Sequence, residues 1–254
     1  MPKSAAASLL LFFLSAPLLA AEPDYSTWNM LLARHYDPAR GMEYAGLKAR
    51  DAATLQQLRR RMAAVDLAKL SRNEQLAFWI NLYNISVVGI VVDHYPVKTI
   101  RDISTDPIVR LNVFKKDLVP FGSARISLDE IEHKRIREVF RDPRIHFAIN
   151  CAATSCPSIR HEAYVGARID AQLDDQTRSF LNGPLGVSLS RRGKTLIVRT
   201  TKIMDWFGDD FDQWGGGKLA FLRRYLSAGK VKVIDSAADV KIDYDDYDWS
   251  LNQR

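Results

Sequence analysis

Residues 71–96 read SRNEQLAFWINLYNISVVGIVVDHYP, and what this stretch becomes decides the fold. Ser71 and Glu74 stand at the spacing of a capping box, in which the serine side chain accepts from an early backbone amide and the glutamate reaches back to the serine amide. A helix is therefore expected to start there. Its body, LAFWINLYNISVVGIVV, is apolar on nearly every face, which suits either a central buried helix or a membrane span. The run covers only about seventeen residues, and Asn81, Asn84 and Ser86 interrupt it, which is short for a bilayer. A buried central helix is the expectation, ending before Pro96, because proline disfavours helical geometry at Tyr95. At about 100° per residue, Glu74, Asn81 and Asn84 fall within an arc of roughly 80°. Buried amides must find partners, so this polar stripe faces either a network that fixes packing or a pocket that holds water and ligand.

Working outward, helical spacing of apolar residues predicts helices over residues 27–36 and 52–70, the second through Leu55, Leu58, Met62, Val65 and Leu70. Residues 113–119 and 124–126 flank the turn PFGS and read as a β-hairpin. Ser127 and Glu130 suggest a second capping box, opening a helix through Ile131, Arg135 and Val139 that stops before Asp142 and Pro143. IHFAIN at 145–150 alternates strictly, with Ile145, Phe147 and Ile149 on one side and His146, Ala148 and Asn150 on the other, a strand signature. Farther on, 171–181 and 218–226 read as helices, and 187–189 and 195–198 pair around Arg192 and Gly193. Residues 230–234 and 240–244 read as closing strands. The expected fold is a helix-rich α+β domain with a small, mostly antiparallel sheet around a buried central helix.

Lys3, the apolar run from Ala5 to Leu19, and Ala20 and Ala21 have the layout of a secretory signal peptide over residues 1–21, competing with a retained N-terminal anchor. Residues 22–254 then form one domain, since they hold no repeats, low-complexity tracts or long linkers. A periplasmic or secreted protein is the expectation. The formal charge of +6 falls to +5 without Lys3, and basic clusters sit at Arg59–Arg61, Lys115 and Lys116, Arg191–Lys194, and Arg223 and Arg224. Such a balance favours weak contact with anionic membrane or glycan surfaces, set against a merely solvated basic face. No cluster is interleaved with aromatics as a nucleic-acid platform would be, so no nucleic-acid partner is expected.

Four blocks carry a family resemblance: NEQLAFWINLYN (73–84), SLDEIEH (127–133), DPRIHFAINCAATSCP (142–157) and YDWSLN (247–252). Together they resemble the domain of unknown function 547 family, from about Asn73 to the end of the chain. The family is named for the absence of an assigned activity. Its pattern includes a histidine and two cysteines, matched here by His146, Cys151 and Cys156. It also occurs in intracellular eukaryotic proteins, where disulfides do not persist, which implies that these thiols are more than a staple.

In an oxidising compartment a nearby thiol pair is joined unless geometry forbids it, and so small a loop contributes roughly 2 kcal/mol. Three readings of the segment follow. In the first, Cys156 or Cys151 is a nucleophile whose thiolate is stabilised by His146 or His133 and by backbone amides, as in cysteine hydrolases and acyl transferases acting on an amide or ester. Glu74, Asn81, Asn84 and Asn150 would then orient the base or wall the pocket around a small-molecule or peptide ligand. If the strand persists through Cys151, Cys156 is the better partner for His146, and Pro157 would place it just ahead of a helix N-terminus. In the second, the segment is a disulfide staple in a non-catalytic envelope binding or scaffold module. The four residues between the cysteines are not the two-residue spacing of thioredoxin-like sites. The third, a metal site from His133, His146, Cys151, Cys156 and His161, matches no zinc spacing, and no cofactor is implied. Asp243, Asp245, Asp246 and Asp248 lack the glycine and terminal glutamate of a calcium loop. They read as solvated charges in a tail pinned by Tyr244, Tyr247 and Trp249.

Overall fold

The computed structural model describes residues 22–103 and 112–254; the segment on which the signal-peptide expectation rests lies outside the described residues. Helix α1 (Ser26–His35) buries Trp28, Leu31, Leu32 and His35, one stripe at helical spacing. A two-stranded ribbon, β1 (Tyr36–Asp37) with β2 (Gly41–Met42), leads into α2 (Tyr44–Ala63). Helix α2 starts earlier and stops earlier than the spacing predicts. Asp66 accepts from the Ala68 amide at 3.1 Å and starts a separate 3₁₀ turn, Leu67–Lys69. A short acidic side chain that bonds its own backbone competes with helix continuation.

Helix α3 (Arg72–His94) opens with both halves of the capping box: the Glu74 amide donates to Ser71 Oγ at 3.3 Å, and the Ser71 amide donates to Glu74 Oε2 at 2.7 Å. It is long and apolar enough to cross a membrane, yet 94% of its most apolar window is buried inside the protein. From Leu76 to Val92 every residue is buried, and α1, α2 and the cysteine segment complete the cluster around it.

After α3 the chain forms a hairpin, β3 (Val119–Phe121) with β4 (Ala124–Ile126); the stretch before it is a 3₁₀ turn, Val113–Lys115. Ser127 caps the next helix by accepting from the Glu130 amide at 2.9 Å, while the Glu130 carboxylate turns to Arg135 at 2.7 Å. That helix is continuous but wide-bored in the middle: α4 (Leu128–Glu130) runs through a π-helical stretch, Ile131–Arg137, into α5 (Glu138–Phe140). Single π turns recur at functional sites because the extra residue re-aims side chains.

The expected strand at 145–150 is corrected. Pro143–Phe147 is a 3₁₀ helix, capped by Asp142, which accepts from the Arg144 amide at 3.0 Å, with Pro143 at its first position. With roughly three residues per turn, alternate side chains do not share a face: Ile145 and Ile149 enter the α3 cluster, whereas Phe147 enters a second one.

That second cluster packs α6 (Ile169–Asn182) and later helices against a three-stranded sheet. In the sheet, β5 (Ser188–Arg192) pairs antiparallel with β6 (Thr195–Thr200), and β6 pairs parallel with β7 (Asp239–Tyr244). A parallel return needs a crossover. It is supplied by α7 (Ile203–Trp206), α8 (Gly208–Asp212), α9 (Gly217–Tyr225) and α10 (Ala228–Asp235). The expected strand at 230–234 is therefore the last helix of that crossover. The fold is a helix-rich α+β arrangement with small sheets of two and three strands.

Beyond β7 the chain runs back as a strap. Thr154 and Ser155 amides donate to the Ser250 and Asp248 carbonyls at 2.8 and 3.2 Å, and the Asn252 amide donates to the Ala152 carbonyl at 3.0 Å. Met42 then donates to the Asn252 carbonyl at 3.0 Å. At Gly41, whose φ is +92°, a side chain would run into the Asn252 backbone, so only glycine lets the strap dock.

Candidate functional site

Cys151 and Cys156 form a disulfide with Cα atoms 6.2 Å apart. Asn150 builds the loop that carries them. Its amide donates to Asn84 Oδ1 at 2.9 Å, its Nδ2 donates to the Pro157 carbonyl at 2.7 Å, and its Oδ1 accepts from the Ala152 amide at 2.8 Å. Ala152 is held at φ 62°, a left-handed conformation that costs a non-glycine residue about 1 kcal/mol. The Cys151 amide donates to Cys156 Sγ at 3.0 Å. Tyr247, on the strap, lies 3.0 Å from Cys156 Sγ and 3.1 Å from Cys151 Sγ through its hydroxyl. A disulfide sulfur carries no proton, so the hydroxyl is the donor.

Both sulfurs' residues line a cavity of about 190 Å³ together with His133, His146, Tyr83, Asp129 and Glu132. Its remaining wall is largely aromatic, from Phe114, Trp206, Phe207, Tyr247 and Trp249. Glu132 sits on the π-helical stretch, 3.5 Å from the Tyr83 hydroxyl. Burial pushes its carboxyl up to about 7, against an opposing pull from Arg137. Burial likewise raises the Tyr83 and Tyr247 phenols, so both remain protonated donors.

His146 is buried and stacked on Phe207, ring centroids 4.0 Å apart. Its Nε2 lies 2.7 Å from Asp210 Oδ2. Arg137 clamps the same carboxylate with two bonds of 2.7 and 2.9 Å. Hydrogen bonds from His146 and Arg137 outweigh burial and hold Asp210 well below the usual carboxylate range, so it only accepts. The proton of a neutral His146 is thereby placed on Nε2. Nδ1, buried and without a hydrogen-bond partner, keeps a lone pair. Burial lowers the pKa of this histidine, Asp210 opposing, so the neutral form is favoured. Arg137 also donates to Nδ1 of His133 at 2.6 Å, and burial lowers the pKa of that ring too.

The structure brings four expected site residues together: Cys151, Cys156, His146 and His133 all line the cavity. Glu74, Asn81 and Asn84 do not line it. Glu74 is the helix cap; Asn81 exchanges hydrogen bonds of 2.7 and 3.0 Å with the Tyr164 backbone, and Asn84 bridges the Ala148 carbonyl and the Asn150 amide. The polar stripe is thus a packing network that fixes the cysteine loop on α3. Asn150 belongs to the same network and lines a separate cavity behind Cys156. No helix follows Pro157, so Cys156 gains no helix N-terminus. Among the described residues no group of three or more metal-binding side chains occurs.

The family model described as Protein of unknown function, DUF547, matches residues 67–181. This segment is similar to the DUF547 family. No curated protein and no solved structure gives a significant match to the chain. The matched segment contributes α3, the π-helical stretch and the cysteine loop, hence both histidines and both sulfurs. Asp210, Trp206, Phe207, Tyr247 and Trp249 come from beyond it, so the site is completed by residues outside the matched segment. Sequence reading missed Glu132, Asp210, Tyr83 and the aromatic wall. Tyr83, Glu132, Tyr247 and Trp249 stood inside the blocks that carried the resemblance, a signal that could have nominated them; Asp210 had none.

Proposed function

We propose that the protein is exported and acts as a thiol-dependent hydrolase or acyl transferase for a small amide or ester, with Cys156 as nucleophile and His146 as base. The observation that carries this reading is the shared cavity: Cys156 lines it with a histidine that is oriented by Asp210 through one nitrogen and unpartnered at the other. Nucleophile, base and orienting group are the minimal set for such chemistry. Cys156 is favoured over Cys151 because its sulfur accepts from both the Cys151 amide and the Tyr247 hydroxyl, at 3.0 Å each. Donors of this kind stabilise a thiolate. The disulfide is the resting form, and a dithiol donor supplies the two electrons and two protons that open it. His146 Nδ1 then takes the Cys156 proton, the thiolate attacks the carbonyl carbon, and the protonated ring returns the proton to the leaving alcohol or amine. Water or a second acceptor releases the acyl group.

A non-catalytic envelope module is the second reading, favoured by the closed disulfide and by the strap bonded along the cysteine loop. The two separate when the chain and its Cys156→Ser and Cys151→Ser variants are assayed under reductant against a panel of p-nitrophenyl esters and anilides. Turnover abolished in Cys156→Ser but retained in Cys151→Ser supports the enzyme; equal behaviour of the two variants overturns it.

A further inference from the structure

The charge inside the cavity runs opposite to that of the chain. The sequence has 36 lysines and arginines against 30 aspartates and glutamates, yet among the described residues no lysine or arginine lines this cavity, whereas Asp129 and Glu132 do. Its two histidines are held toward the neutral form by burial, and Glu132 ionises above about pH 7, so above that pH the formal charge its lining supplies is negative. Around these carboxyls the wall is built of ring faces. Tyr247 lies 4.7 Å from Trp206 and 4.8 Å from Trp249 between centroids, forming one contiguous aromatic surface, and Trp206 is 46% exposed at its rim. Two wall rings already attract the chain's own cations: Arg101 lies over Trp249 at 5.0 Å and Arg137 over Phe207 at 4.7 Å. Neither arginine lines the cavity, so both approach from outside it.

We propose that the cavity binds a small cationic headgroup, a quaternary or methylated ammonium, between the aromatic wall and the Glu132 and Asp129 carboxyls. Aromatic faces attract such a cation through the ring quadrupole, more strongly when water is excluded. A cavity of about 190 Å³ lies below the roughly 300–1,000 Å³ of pockets for drug-sized ligands, which suits a headgroup rather than a large ligand. The inference deepens the hydrolase reading by naming a substrate feature, and it rests on that reading for its chemistry alone: the ligand would be a choline-like ester or amide whose ammonium sits on the wall while its carbonyl faces Cys156.

The test is calorimetric titration at about pH 8.5, where Glu132 is ionised, of the full chain in its disulfide form with choline, with its neutral isostere 3,3-dimethylbutan-1-ol, and with the anion 3,3-dimethylbutanoate. Choline is expected to bind about tenfold more tightly than the neutral isostere, and the anion not at all. Glu132→Gln is expected to erase most of that preference, and Trp206→Leu to weaken choline severalfold with folding checked by circular dichroism. Equal or tighter binding of the isostere or the anion overturns the proposal, as does absence of choline binding up to about 10 mM. Because the disulfide form is used, choline binding without ester turnover under reductant would remove the hydrolase and leave the cation site standing.

Discussion

His35 and His146 are both buried, and each meets an aspartate oxygen through Nε2 at 2.7 Å. They differ at the other nitrogen. His35 Nδ1 faces Glu43 at 3.3 Å, with Arg34 on Asp51 and Arg50 on Glu43 closing the network, and the ring lines none of the cavities described above. His146 Nδ1 has no partner, and its ring lines the cavity that holds the disulfide. Burying a polar atom unsatisfied costs free energy, so a fully bonded buried histidine reads as structure and a half-bonded one at a cavity reads as a working group. The neighbouring carboxyls repeat the contrast. Glu43 is held below its ordinary pKa, first by its hydrogen bond to His35, whereas Glu132 is raised to about 7 by burial.

The contrast breaks most readily on activity. His146→Gln should lower kcat/KM of the reduced protein by about 10²- to 10⁴-fold, the worth of a general base, while His35→Gln leaves it nearly unchanged. Comparable losses in both variants, measured on the same ester, would erase the distinction. Stability should invert the order. His35→Gln takes a buried ring from both Asp51 and Glu43, leaving Asp51 to the half-exposed Arg34, and should cost about 2–3 kcal/mol in urea unfolding. His146→Gln should cost less than half as much, because Asp210 keeps its clamp by Arg137.

The pH dependence sharpens the same comparison. Folded Glu132 holds its proton up to about pH 7, whereas the unfolded chain releases it near 4.5. Its contribution is complete below 4.5 and is lost as pH rises to about 7, so Glu132→Gln should flatten the stability profile across that window and gain on the parent chain above it. His146 acts at the other limb: its folded pKa lies below 6.5, so stability falls as pH drops through 6.5, where the unfolded ring takes up a proton that the folded ring resists. Urea titrations at a series of pH values read both limbs. The smallest effect belongs to the exposed Arg199–Asp243 pair at 2.9 Å, where Arg199→Ala should stay within about 0.5 kcal/mol.

Much of the scaffold was readable because its signals are local. The Ser71 and Glu74 box, the apolar run behind it and the capping Ser127 name their own neighbours, and the structure keeps all three. The alternation at 145–150 misled because a 3₁₀ turn between two clusters also places successive side chains on different surfaces. The VKVI stretch at 231–234 misled because the sheet position it suited is filled by β7, which reaches β6 in parallel only through a helical crossover. The site was half legible. Cys151, Cys156 and His146 sit within one loop, but Asp210 follows His146 by 64 residues and Tyr247 follows Cys156 by 91. Partners at such separations leave no periodicity to read; only the folded chain names them.

The most direct test of an activated Cys156 is the alkylation rate of each cysteine against pH, read by peptide mass after the disulfide is opened and the protein kept folded. Cys156 is expected to react with an apparent pKa well below the ordinary value of about 8.5, with Cys151 close to it. His146→Gln should move the Cys156 value upward. Two cysteines titrating together near 8.5, unmoved by that substitution, would contradict the nucleophile and leave the pair a staple.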